Sequence, residues 1–74
     1  MKIVQVFKTD VQDKQVAGNI ISFLQQTFSY CRINFDLDDC DKILRIESQE
    51  GSIQESKVRL AVAGYGHHCE LLRD

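Results

Sequence analysis

From Cys31 to Leu37 the chain alternates strictly. Cys31, Ile33, Phe35 and Leu37 are apolar, and Arg32, Asn34 and Asp36 between them are polar or charged. Successive side chains on a strand point to opposite faces, so this segment buries one face and wets the other. Such one-sided strands belong to antiparallel sheets, because parallel strands are covered on both sides.

The flanking segments supply the rest of the sheet. Asp38-Asp39-Cys40-Asp41 interrupts the alternation and strand character resumes at Ile43-Leu44-Arg45-Ile46-Glu47, so the two runs form a β-hairpin. Lys2 to Lys8 is rich in Val, Ile and Phe, with Val4 and Val6 expected on the core face and Gln5 on the other. A last strand is expected within His67 to Leu72, with Cys69 and Leu71 on one face.

Two helices separate these strands. Thr9-x-x-Gln12 forms a capping-box pattern, and Asp10 and Asp13 bring negative charge to the first turn of a helix. Val16, Ile20, Phe23, Leu24, Thr27 and Phe28 then recur at three- and four-residue spacing, and the helix ends near Ser29. Ser52-x-x-Glu55 is a second capping-box pattern ahead of Ile53, Val58, Leu60 and Val62, with Gly64 expected at the C-cap. The order βαββαβ predicts an α+β, ferredoxin-like fold: a four-stranded antiparallel sheet with both helices on one face.

Length and charge narrow the function. A single domain over residues 1–74 buries only about 60% of its unfolded surface, which leaves a small core and no room for a deep cleft. Its composition, 43% apolar and 27% charged, is that of a folded domain. A net charge of -2 and the acidic hairpin turn argue against a nucleic-acid partner. No apolar run is long enough for a signal peptide or a membrane span, so a cytoplasmic protein is expected. Cysteines at 31, 40 and 69 are odd in number and lack C-x-x-C spacing, which predicts free thiols in a reducing compartment.

Asp36-Leu37 late in the second strand, the helix end Ala61-Val62-Ala63-Gly64-Tyr65 and the closing Cys69-Glu70-Leu71-Leu72 resemble the heavy-metal-associated domain of copper chaperones and metal-transport ATPases. The resemblance spans almost the whole chain, and it implies the same fold and a habit of docking to small protein domains. It also implies that the tyrosine at 65 packs beneath the metal loop. That family captures its ion with two cysteines in the first loop, whereas Lys8 to Lys14 here contains none. Matching Ile20 and Leu24 to the family's helix puts Asp13 and Val16 at the two cysteine positions, and neither is a ligand for a soft ion such as copper(I).

The topology brings three turns to one end of the sheet. Around Lys8, Thr9, Asp10 and Asp13 it gathers Asp38, Asp39, Cys40 and Asp41 with Tyr65, His67 and His68. A substitute metal site from Asp10, Asp13, Cys40, His67 and His68 is the alternative reading, with zinc favoured over copper(I). His67 and His68, adjacent on a strand, would point apart. Cys40 sits among aspartates and is assigned no reactive role, while Cys31 and Cys69 are expected in or beside the core. An EF-hand-like echo over Asp36 to Glu47 lacks the sixth-position glycine. Neither a nucleophile elbow nor a phosphate-cradling glycine loop is present, so no catalytic residue is assigned.

On the open sheet face, Phe7, Ile43 and Leu72 are expected outward as a partner-binding trio, with Val58 and Val62 as a second patch if not in the core. The sequence therefore predicts a small non-catalytic domain without a cofactor. It would act through a protein or ligand partner, or as a weak homodimer.

Overall fold

The computed structural model describes residues 2–72. Its elements are β1 (Ile3–Thr9), α1 (Lys14–Thr27), β2 (Cys31–Asp36), β3 (Ile43–Ser48), α2 (Glu55–Gly64) and β4 (Cys69–Leu71). The four strands form one antiparallel sheet in the order β2-β3-β1-β4, the expected ferredoxin-like arrangement.

The core lies between the sheet and the two helices. α1 contributes Ala17, Ile20 and Leu24, followed by Phe28, at the spacing of one helical face. α2 contributes Val58, Ala61 and Val62, and these pack with Ile33, Leu44 and Ile46 from the sheet. Val58 and Val62 are fully buried and form no surface patch. Cys31 and Cys69 are buried too, and burial pushes the Cys69 thiol up to about 11.

β1 is turned over relative to the sequence expectation. Ile3, Gln5, Phe7 and Thr9 face the helices, while Val4, Val6 and Lys8 face outward. Phe7 is completely buried, so it belongs to the core and not to an outward trio. Both faces of this strand carry apolar residues, and the aromatic ring gains more from burial than a valine does. One cost is visible: the Gln5 Oε1 is buried and has no hydrogen-bond partner among the described residues.

Helix boundaries differ for local reasons. Thr9 is still in β1, so the cap of α1 is Asp13, whose Oδ1 accepts from the Gln15 N–H at 2.8 Å. α2 begins after Gln54 without a side-chain cap, and Ser52 lies outside the helix. At its far end Gly64 remains helical and Tyr65 is the C-cap. Gly66 follows at φ 83, its N–H donating to the Ala63 carbonyl and the His67 N–H to the Val62 carbonyl. This is a Schellman closure, and the glycine supplies the left-handed residue it requires. It aims His67 back toward the end of β1.

Candidate functional site

The three turns do meet. The Thr9 N–H donates to the Asp41 carbonyl at 3.1 Å, and the Thr9 hydroxyl donates to the Lys42 carbonyl at 2.6 Å while accepting from the Val11 N–H. Those bonds fasten the β2–β3 turn to the end of β1. On the other side, one oxygen of Asp10 receives both the His68 N–H at 2.9 Å and His67 Nδ1 at 3.0 Å. An ionised carboxylate only accepts, so Nδ1 carries the hydrogen in that contact. The His68 amide, helped by His67, holds the Asp10 carboxyl below its usual range.

Asp10 is therefore a latch between the β1–α1 loop and the α2–β4 turn. His67 is half-buried against it, and His68 points away toward Glu70 at 3.8 Å, mostly in solvent. Asp13 is occupied at the cap of α1. Cys40 is exposed in the β2–β3 turn, where Asp39 Oδ1 accepts from the Asp41 N–H and Lys42, at φ 47, reaches back to the Leu37 carbonyl. Lys8 approaches Asp41 at 3.8 Å across half-exposed side chains, a pair that adds little stability.

Among the described residues, the group of donors within 4.8 Å of one another is Asp39, Cys40 and Asp41. The five residues considered for a substitute metal site thus fall into separate places. Asp10 and His67 hold each other, His68 diverges, Asp13 caps a helix, and Cys40 keeps company with two aspartates of its own turn.

Two apolar surfaces stand out beyond this end of the sheet. On the open face, strand register sets Val6 opposite Arg45 on β3, and the Leu72 N–H donates to the Val6 carbonyl on the β4 side. Val4 and Leu72 are exposed, and Ile43 is half-buried one row from Val6. The open-face patch is accordingly Val4, Val6, Ile43 and Leu72, with Val6 in the place expected for Phe7.

The second surface lies on the helices. Phe23 on α1 is 47% exposed, Leu60 on α2 72% and Tyr65 42%. Phe23 meets the Tyr65 ring edge-on at 6.4 Å, and with Leu60, Thr27, Lys57 and Ala61 it lines a groove of about 330 Å³ between the helices. Tyr65 makes its contacts with Phe23 and the Asn19 carbonyl, on α1 and not beneath the first loop. A helical signal for Leu60 existed: it stands two residues from both Val58 and Val62, about 200° around the helix, so it had to face away from them.

No family model, curated protein or solved structure matches the chain.

Proposed function

We propose that this chain is a non-catalytic protein-binding domain, built like a heavy-metal-associated domain without its metal loop, that docks a partner through the groove between its helices. The observation that carries this reading is the cluster of exposed Phe23 and Leu60, which line one groove, with Tyr65, whose ring meets Phe23 beside it. Scattered apolar residues on a surface are ordinary, but a contiguous set on a domain this small marks an interaction site. Three free thiols and a net charge of -2 favour a reducing, cytoplasmic setting and a protein partner over nucleic acid.

The test is affinity capture with the folded chain, comparing the native sequence with Leu60→Asp and Phe23→Ser. Both side chains are exposed, so the variants retain the fold, which far-ultraviolet circular dichroism checks. A protein retained by the native chain and lost by both variants supports the reading. Equal retention by all three, or no retention, removes the groove from the account.

A second reading, metal binding at a non-standard set, is favoured by the Asp39, Cys40 and Asp41 donors. Cys40 with two carboxylates would suit a borderline ion such as zinc.

A further inference from the structure

β2 is one edge of the sheet, and its backbone shows which of its groups are left over. The Cys31 N–H donates to the Phe28 carbonyl and the Cys31 carbonyl accepts from Gln25 Nε2 at 2.6 Å, so both groups of Cys31 point away from β3. The N–H and C=O of one strand residue point the same way, and the direction alternates along the strand. Arg32, Asn34 and Asp36 therefore pair with β3, and Ile33 and Phe35 turn their N–H and C=O groups to the open edge.

We infer that this edge joins a second copy of the same chain, strand β2 against strand β2 in antiparallel register, giving a continuous eight-stranded sheet. Ile33 pairs with Phe35 of the other copy and Phe35 with its Ile33, which makes four backbone hydrogen bonds around a two-fold axis at Asn34. On the open face this register sets Arg32 directly opposite Asp36 of the other copy, twice. Opposite charges at such positions attract and fix the pairing.

The neighbouring registers are closed. A slide of two residues one way calls on Cys31, whose edge groups are already bonded to Phe28 and Gln25. A slide the other way calls on Leu37, outside the strand, whose carbonyl is taken by the Lys42 ammonium. The pairing that uses only the free groups is thus the one that matches the charges.

The side chains beside the edge agree. Ile21, Phe35 and Leu37 are only partly buried, although they pack against the core, and Gly18 of α1 has open space around it. Across the two-fold axis, α1 meets its own copy along Gly18, Ile21 and Gln25, and Phe35 gains Ile33 of the other copy as a neighbour. Between its ends, where Phe28 and Gln25 cover Cys31 and Lys42 takes the Leu37 carbonyl, the strand has no proline and no bulge, and its charged side chains all lie on the open face. This surface is separate from the groove at Phe23 and Leu60, so either can fail without the other.

Sedimentation equilibrium of the full chain tests the pairing. The native chain is expected to dimerise with concentration, and Arg32→Asp or Asp36→Arg alone, which set like charges opposite, to weaken the dimer at least tenfold. The double variant Arg32→Asp with Asp36→Arg restores it. Hydrogen exchange at the Ile33 and Phe35 amides should slow as dimer forms. A chain that stays monomeric at millimolar concentration overturns the inference, as does a dimer indifferent to both single variants.

Discussion

Replacing Phe7 by Ala should cost this domain much of its stability, and replacing its neighbour Val6 by Ala should cost little. Phe7 is fully buried in β1, paired with Leu44 on one side and Leu71 on the other. Truncating such a phenylalanine removes its transfer free energy and leaves a cavity, together about 3–5 kcal/mol. A chain of 74 residues carries roughly 4–11 kcal/mol in total, so the variant sits near the edge of folding. Val6 is half-buried on the open face, and its truncation should cost about 1 kcal/mol or less. Urea unfolding followed by circular dichroism reads both, since the chain has no tryptophan to report. Phe7→Leu, expected at about 1–2 kcal/mol, keeps the comparison readable if the alanine variant is unfolded. Equal losses for Phe7→Ala and Val6→Ala would refute the assignment of β1's faces.

Other substitutions probe single features. Gln5→Met removes the unpartnered buried oxygen and should raise stability by about 1–2 kcal/mol, visible as a higher melting temperature. Gly66→Ala forces a side chain into φ 83 and should cost about 1 kcal/mol, whereas Gly64→Ala, in the helix with free space, should be neutral or stabilising by up to about 1 kcal/mol. The Asp10 carboxyl is held below its ordinary range when folded, so the latch contributes fully above the ordinary aspartate value of about 3.9 and fades as pH falls through the folded value. Asp10→Asn should therefore lower stability at neutral pH and flatten its decline in acid, as read by denaturation at pH 7 and below pH 4.

Much of the architecture was legible because its signals were local. The alternation of Cys31 to Leu37, the acidic turn and the two helical stripes each name their element without help from the rest of the chain. The faces of β1 are not legible in the sequence because Ile3 and Phe7 compete with Val4 and Val6 for the core, and local period alone does not say which pair wins. Thr9 has the composition of a helix cap because Ser, Thr and Asp mark strand-end turns and caps alike, yet its hydroxyl serves the β2–β3 turn thirty-three residues away. That contact, like the Asp10 bonds to His67 and His68, joins segments remote in sequence. Topology predicted that the turns meet, but the pairing of particular side chains depends on loop paths that sequence does not specify.

On the proposed function, the chain works by presenting protein surfaces and not by holding an ion at its loop end. A two-dimensional NMR titration with copper(I), zinc and nickel tests it most directly. Amide resonances of residues 10–13, 37–42 and 65–68 are expected to stay in place at one equivalent of each ion. Stoichiometric, saturable shifts at micromolar concentration, confined to the surroundings of Asp10, Cys40 and His67, would contradict it.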